Sequence, residues 1–153
     1  MKSRFVSLAA LGILSCAAPG TAPPAVLDPG SESCHFCRMM VSDPARAAQI
    51  VAPAEEPLFF DDIGCLRDYL AGGASLPEGA VAYVADHRTK AWVVATKALY
   101  TRNSAVDTPM GSHILAHADS TSREADPEAR EGMLLSPAEV FGPSGPPDGG
   151  PKK

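Results

Sequence analysis

The chain has 153 residues, of which 45% are hydrophobic and 20% are charged, and its formal net charge at pH 7 is −5. An acidic chain without a basic cluster is unsuited to binding nucleic acid. The length allows one compact domain or two very small ones.

Residues 1–15 are predicted to be a signal peptide. Two basic residues precede an apolar run that is too short to serve as a permanent transmembrane helix. The run ends in ILSC, in which Ser15 directly precedes Cys16, and this resembles the lipobox of bacterial lipoproteins. We expect Cys16 to be lipidated as the first residue of the mature chain, where two acyl chains would hold the protein on a membrane. Ordinary cleavage at the small residues that follow is the alternative.

Low-complexity segments flank the predicted core. Residues 16–33 are rich in Pro, Ala and Gly, and this composition predicts a flexible tether between the lipid and the domain. Residues 142–153 have a similar composition and predict a disordered tail. The folded core is therefore expected to span residues 34–141.

The first half of the core predicts two strands, a helix and a hairpin. ARAAQIVAP and PLFFDD are short apolar runs bounded by prolines and predict a strand pair. DDIGCLRDYLAGG predicts a helix that is capped by Asp61 or Asp62 and ends at its two glycines. AVAYVADH and KAWVVATKALYTR predict strands joined by a turn in which His87 is solvated.

The second half of the core begins with a turn at TPMGS, followed by the predicted strand HILAHA. Residues 119–132 are polar and charged and fit either a loop or a solvated helix. GMLLSPAEVF predicts a strand and then a helix, for which Ser136 and Glu139 form a capping box. The segments that start at MMVSDP and at PMGSHI share the order turn, strand, gap, strand, helix, and this order indicates an internal repeat.

Three cysteines remain once Cys16 is assigned to the lipid, namely Cys34, Cys37 and Cys65. Export predicts an oxidising compartment, where cysteines tend to pair, but an odd number cannot all pair within one chain. Cys65 lies on the apolar face of the predicted helix and is expected to pack as a buried thiol.

The pair Cys34 and Cys37 has a C-x-x-C spacing with several interpretations. It fits a structural disulfide in an exported protein. It fits a redox dithiol, although no strong helix follows to lower a thiol pKa. It also fits half of a zinc site, for which His113 and His117 would be the other half, although their segment has the pattern of a strand.

The neighbouring methionines favour a further interpretation. Residues two apart in an extended backbone point the same way, so Cys37 and Met39 would present a thiolate and a thioether together. Such soft ligands select Cu(I). Met110, in the tight TPMGS turn, offers a second thioether, and Cys34, His113 or His35 would complete the site. The other methionines near these motifs, Met40 and Met133, are expected to fill the core.

The sequence offers little for an enzyme. It has neither a G-x-S-x-G motif nor a glycine-rich phosphate loop. Cys37 as a nucleophile with His113 as its base would lack a third, orienting group. We therefore expect a binding protein.

Four segments together resemble the NosL family, the copper-binding lipoproteins of nitrous-oxide reductase maturation. They are CHFCRMMVSDPARAAQIV, PLFFDDIGCLRDYL, AYVADHRTKAWVVATKALY and TPMGSHILAHAD, within residues 34–119. The resemblance implies an α+β fold of two small ββαβ units, similar to organomercurial lyase. It implies that the protein binds Cu(I) and delivers it for the copper-sulfide centre of nitrous-oxide reductase.

The resemblance also implies partners, a location and site residues. The partners would be the reductase or its assembly factors, with a copper-exporting ATPase as donor, and the location a bacterial membrane, the outer one, facing the periplasm. The family's C-x-M motif falls on Cys37 and Met39, and its Thr-Pro-Met-Gly turn brings Met110. Arg38 stands where the family pattern has glycine, and His113 where it has a small residue.

Overall fold

The computed structural model describes residues 21–150, so the predicted signal peptide and Cys16 lie outside it. Within that range the protein is a mixed α and β structure with two small antiparallel sheets. None of the helices in residues 21–150 is both long enough and apolar enough to cross a bilayer. The elements in chain order are β1 (Ala48–Val51), β2 (Leu58–Phe60), α1 (Ile63–Ala71), β3 (Val81–Ala85), β4 (Trp92–Val94), β5 (Leu99–Arg102), β6 (Ile114–His117), α2 (Ser120–Glu124), α3 (Pro127–Arg130), β7 (Met133–Leu135) and α4 (Pro137–Phe141).

The two sheets have the same local topology. The first has the order β2-β1-β3-β4 and the second the order β6-β5-β7, with antiparallel pairing throughout. In each sheet the first strand of a unit lies between the second and the third, and a helical segment connects the second strand to the third. The units are therefore β1-β2-α1-β3 and β5-β6-α2-α3-β7, which confirms the predicted pair of ββαβ units.

The internal repeat differs from its predicted alignment by one strand. The sequence pattern matched β6 with β1, whereas the topology matches β5 with β1. The reason is that the continuous apolar segment KAWVVATKALYTR contains two strands, β4 and β5, which belong to different sheets. A turn closed by the hydrogen bond from the Lys97 amide to the Val94 carbonyl, at 2.8 Å, separates β4 from β5.

Most of the predicted elements are confirmed. β1 and β2 pair, and β3 and β4 form the hairpin. Asp62 is the N-cap of α1, since its side chain accepts a hydrogen bond from the Gly64 amide. Ser136 and Glu139 form the predicted capping box of α4. The polar segment that fitted either loop or helix contains two short helices, α2 and α3.

One core joins both units, because side chains of both sheets pack against α1 and α4. Its largest fully buried members include Phe60 and Leu66 from the first unit and Tyr100 and Ile114 from the second. Full burial of such a side chain contributes about 1.5–3 kcal/mol. Cys34 and Cys65 belong to the same buried cluster, so the core itself fixes two of the thiols.

Residues 21–33, predicted to be a flexible tether, lie against the first sheet. The fully buried Gln49 side chain accepts a hydrogen bond from the Ala25 amide at 2.8 Å and donates one to the Ala25 carbonyl at 3.1 Å. Tyr83 donates its hydroxyl to the Ala22 carbonyl at 2.8 Å. A buried amide side chain needs both a donor and an acceptor, and an extended segment supplies both from one residue.

The predicted disordered tail also contacts the first sheet up to residue 150. β4 pairs only with Tyr83–Ala85, so the start of β3 has free backbone groups on that side. The Pro147 carbonyl accepts a hydrogen bond from Ala82 at 2.8 Å, and the Gly149 amide donates one to Ala80 at 2.9 Å. Proline lacks an amide donor but keeps its carbonyl acceptor, which is the group that β3 requires here.

Two methionines expected in the core are on the surface. Met40 and Met133 are each 59% exposed. Met40 lies in a short bridge with Ser33 outside the sheets, and Met133 begins β7, which is an edge strand whose only buried residue is Leu135. An apolar run at an edge strand thus turns one side chain inward and leaves its neighbours exposed.

We expect Gln49→Leu to loosen the contact between the sheet and the segment around Ala25. The substitution keeps the volume but leaves the Ala25 amide and carbonyl without partners, and the free energy of unfolding should fall by about 1–3 kcal/mol in urea denaturation. Hydrogen exchange at the Ala25 amide should accelerate. Tyr83→Phe, which removes one bond to Ala22, is the control and should cost only about 0.5–1.5 kcal/mol. Unchanged exchange at Ala25 in Gln49→Leu would contradict the docking.

Candidate metal centre

Three thiols and one carboxylate converge at the end of β2. The potential ligand atoms of Cys34, Cys37, Asp61 and Cys65 all lie within 4.8 Å of one another. Cys37 is partly exposed and the other three are buried, so the cluster opens to the surface on one side. The three thiols are free, so Cys34 and Cys37 do not form the disulfide that was one interpretation of their C-x-x-C spacing.

A tight turn positions the first two cysteines. The Cys34 amide donates to the Met39 carbonyl at 2.7 Å, and the Arg38 amide donates to the Cys34 carbonyl at 3.0 Å. The His35 amide donates to the Phe59 carbonyl at 2.7 Å, which attaches the turn to β2. The backbone here is therefore a turn and not the predicted extended segment.

Arg38 has a backbone conformation that is typical of glycine. Its φ is +68°, in the left-handed region that glycine adopts freely. A residue with a side chain adopts that conformation at a cost of about 1–2 kcal/mol. Glycine would adopt this turn at a lower cost than Arg38 does. Met39, the next residue, has a side chain that is 46% exposed.

The two consecutive aspartates have different roles. Both carboxylate oxygens of Asp61 lie 3.4 Å from Cys37 Sγ, as acceptors for its thiol, and Asp61 is only 2% exposed. Asp62, in contrast, caps α1. The sequence interpretation gave either residue to the cap and so missed Asp61 as a member of the cluster. The sequence could have indicated a separate role for one of the two aspartates, because only one of two adjacent carboxylates can cap a helix.

Cys65 is buried as expected, but packing is not its only contact. It lies in the first turn of α1 and belongs to the thiol cluster. Burial raises the pKa of the Cys65 thiol, and its hydrogen bond with Asp61 adds to the increase. Burial also raises the pKa of Cys37 to about 11. Both thiols are protonated near neutral pH, and a metal ion that binds here must displace protons.

The TPMGS turn lies beside α1, and Asp62 holds it there. Asp62 Oδ2 accepts the Met110 amide at 3.0 Å, while Oδ1 accepts the Gly64 amide at 2.6 Å. Burial alone would raise the pKa of Asp62, but hydrogen bonds from two hydroxyls and these two amides lower it. A Cβ at Gly64 would approach Ser112 Cβ to 2.7 Å, so only glycine permits this contact. The Met110 side chain is 47% exposed next to the cluster's supporting helix.

The two histidines predicted as copper ligands make other contacts and are not members of the four-residue cluster. The His35 ring packs edge-on against Tyr69 at 5.3 Å between ring centroids. His113 has a φ of +58°, and its Nδ1 lies 2.7 Å from the Val106 carbonyl oxygen.

Within residues 21–150, His113 and His117 do not form the zinc site that their spacing allowed together with Cys34 and Cys37. His117 is fully buried at the end of β6 and pairs with Asp126 instead. His87, expected to be solvated, lies in the same group, with Nδ1 at 2.6 Å from Asp126. The hairpin that carries His87 is thus packed against the second unit, which its local sequence could not indicate.

The fold and the thiol cluster together define a small two-unit α+β protein with a soft-ligand site at its surface. The NosL family model matches residues 26–141, and the chain belongs to the NosL family. The crystal structure of the copper chaperone NosL from Shewanella denitrificans has the same fold, with a TM-score of 0.61 and 18% sequence identity over 80% of this chain and 98% of that chain. Among curated proteins, none matches the sequence.

The protonated state of Cys37 predicts slow alkylation. In the reduced, metal-free protein the rate of modification by iodoacetamide should rise about tenfold per pH unit from pH 7 to 10, because only the thiolate reacts and the pKa is about 11. In urea the rise should level off near the ordinary thiol pKa of 9.0. Peptide mass spectrometry measures both rates. A plateau near pH 8 in the folded protein would contradict the raised pKa.

Proposed function

We propose that the protein is a copper chaperone that binds Cu(I) at the cysteine cluster and passes it to a partner. The observation that carries the proposal is the convergence of three thiols and Asp61 within 4.8 Å at a partly open surface. Membership of the NosL family supports it, and the structural neighbour is itself described as a copper chaperone. A metal-carrying role of this kind requires no enzymatic activity.

The ligand chemistry favours Cu(I) once the methionines are included. Three thiols and a carboxylate would also suit zinc. Thioethers are poor zinc ligands but suit Cu(I). Met39 follows Cys37 by two residues, and Met110 is anchored to the cap of the helix that carries Cys65. Both residues are about half-exposed, so neither is enclosed in the core.

The proposed ligands are therefore Cys37, Cys34 and Cys65 as thiolates and Met39 and Met110 as thioethers. Cys65 is an addition to the set expected from sequence. His35 and His113 stay as candidates for the copper-bound state, in which their rings would have to leave their present contacts.

The raised pKa of Cys37 suits delivery. Copper binding releases a thiol proton, and a departing copper ion is replaced by that proton. The protonated thiol is stable in this environment, so the empty state forms without leaving a buried thiolate. The partly exposed Cys37 is the ligand that an accepting protein can reach first.

The redox alternative is less well supported. Reactive dithiols have lowered thiol pKa values, whereas burial raises the pKa of both Cys37 and Cys65. The zinc-stapled alternative lacks its distal ligands, because His113 and His117 have other partners.

Within this role we propose that the copper serves the copper-sulfide centre of nitrous-oxide reductase. The acceptor would be the reductase or one of its assembly factors, and the donor a copper-exporting ATPase. We also propose a bacterial lipoprotein anchored through Cys16 that faces the periplasm from the outer membrane. The family resemblance and the lipobox-like ILSC support these proposals.

Copper selectivity is tested by anaerobic titration of the reduced chain from residue 17 with Cu(I) against a chromogenic chelator, and again with zinc. We expect one Cu(I), held in preference to zinc. Cys37→Ser should weaken binding by at least about 100-fold, and Met110→Leu by about tenfold, which corresponds to about 1.4 kcal/mol. Met133→Leu, an exposed methionine on β7, is the control and should change nothing. Tighter zinc, or no effect of Met110→Leu, would contradict the thiolate-thioether site.

Anchoring and delivery are tested together in a nitrous-oxide-respiring host that lacks its own copy of the gene. Cells with the intact chain should hold it in the membrane fraction and contain a copper-loaded reductase. Cys16→Ser should move the chain to the soluble fraction, and Cys37→Ser should leave a reductase poor in copper. A fully loaded reductase in the Cys37→Ser cells would exclude the proposed delivery.

A further inference from the structure

We propose a second metal site, formed by His87, His117 and Asp126, that takes a divalent ion of borderline softness such as Zn²⁺ or Cu²⁺. The potential ligand atoms of the three residues all lie within 4.8 Å of one another. Asp126 Oδ2 lies 2.6 Å from His87 Nδ1 and 2.9 Å from His117 Nε2. The site is separate from the cysteine cluster and does not depend on the proposed copper function.

The backbone holds each of the three residues in place. His117 is the last residue of β6, where it pairs with Leu99. Asp126 is the N-cap of α3, with Oδ1 accepting the Glu128 amide at 2.9 Å, so Oδ2 is left for the two histidines. The His87 amide donates to the Ala116 carbonyl at 2.8 Å. Donor atoms fixed in this way need little rearrangement to bind an ion.

A neighbouring carboxylate ties the hairpin of His87 to the second unit. Asp86 accepts the Ala118 amide at 2.7 Å and the Thr89 amide at 2.8 Å, and it is fully buried. The β3-β4 turn of the first unit is thereby held against the end of β6. The three donors come from both units, and an ion between them would join the units directly.

Hydrogen bonding within the protein does not fully account for the cluster. His117 is fully buried, and its other ring nitrogen, Nδ1, has no hydrogen-bond partner among residues 21–150. An ion bound through His117 Nε2 would place the ring proton on Nδ1 and leave that nitrogen unpaired, so Nδ1 does not itself indicate a metal. The proposal rests on the three donor atoms that lie within 4.8 Å of one another and on their chemistry.

The charge and the access suit a cation. Asp126 is 4% exposed, and its carboxylate accepts a hydrogen bond from the Glu128 amide and lies within 2.9 Å of a ring nitrogen of each histidine. Glu128 Oε2 lies 3.5 Å from His87 Nε2 at the exposed edge of the group. Arg46 Nη2 lies 3.6 Å from the same oxygen. When His87 binds an ion through Nδ1, the ring proton lies on Nε2, which faces Glu128 Oε2. Carboxylates orient metal-binding histidines in this way.

The donor set determines the class of ion. Two imidazoles and a carboxylate suit divalent zinc or copper, and they lack the sulfur that favours Cu(I). Three protein ligands leave a fourth position for water. Binding exchanges N–H···O contacts of 2.6 and 2.9 Å for bonds to one ion of about 2.0–2.2 Å each, which requires only a small separation of the donors.

Cobalt(II), a spectroscopic stand-in for zinc, tests the site in the chain from residue 17. The cysteine cluster is first filled with one equivalent of Cu(I) under anaerobic conditions, and Co²⁺ is then titrated. We expect one equivalent of Co²⁺ to bind with visible d–d bands and without the near-ultraviolet charge-transfer bands of cobalt thiolates. The melting temperature should rise on binding, because the ion stabilises only the folded state.

Matched variants locate the ion. His87→Gln should lower Co²⁺ affinity by at least about 100-fold, since even the loss of a group that merely orients a ligand costs about 10- to 100-fold. Asp126→Asn, which keeps an acceptor for the Glu128 amide, should do the same, and it provides a second test if His87→Gln is unstable. Glu56→Gln, which changes an exposed carboxylate outside both metal-ligand groups, is the control and should leave Co²⁺ affinity unchanged. Co²⁺ that binds only with thiolate charge-transfer bands, the absence of Co²⁺ binding, or full affinity in both variants would overturn the proposal.

Discussion

The Asp62 carboxylate is the contact on which the arrangement of the cysteine cluster depends. One oxygen caps α1 through the Gly64 amide, and the other holds the Met110 amide in the turn between β5 and β6. This single side chain starts the helix that carries Cys65 and docks a turn of the second unit beside it. The missing Cβ at Gly64 permits the approach. The two contacts together tie the Met110 turn to the helix that carries Cys65.

The two metal-ligand groups occupy related places in the repeated unit. In the first unit Asp61 directly follows β2, and Cys65 lies in the helix that comes next. In the second unit His117 ends β6, and Asp126 caps the second of the helices that follow. The end of the second strand and the start of the helical segment therefore bring donor atoms together in both units. The group in the first unit has mainly sulfur donors, whereas the group in the second unit has nitrogen and oxygen donors. The two groups therefore favour different ions.

The features that the sequence predicted correctly are those that depend on interactions between neighbouring residues. The helix from Ile63, its Asp62 cap and the capping box at Ser136 depend on neighbouring residues only, and all are confirmed. The thiol pair in CHFC was also visible. What the sequence did not reveal depends on contacts between distant segments. Cys65 and Asp61 join the cluster only because α1 packs over the Cys34 turn, and His87 meets His117 only because the β3-β4 hairpin folds onto the second unit. Residues 21–33 and 142–150 have the composition of linkers, yet the unpaired groups of Gln49 and β3 bind them.

The docked N-terminal segment would limit the distance between the folded domain and the bilayer if Cys16 carries the proposed lipid anchor. With Cys16 as the lipid anchor, only four residues separate it from Thr21, where the described chain begins and soon contacts Tyr83. Even fully stretched, that interval spans no more than about 18 Å. The anchored protein would stay close to the lipid surface and diffuse only in the plane of the membrane. An acceptor of its cargo would have to come to the membrane to collect it.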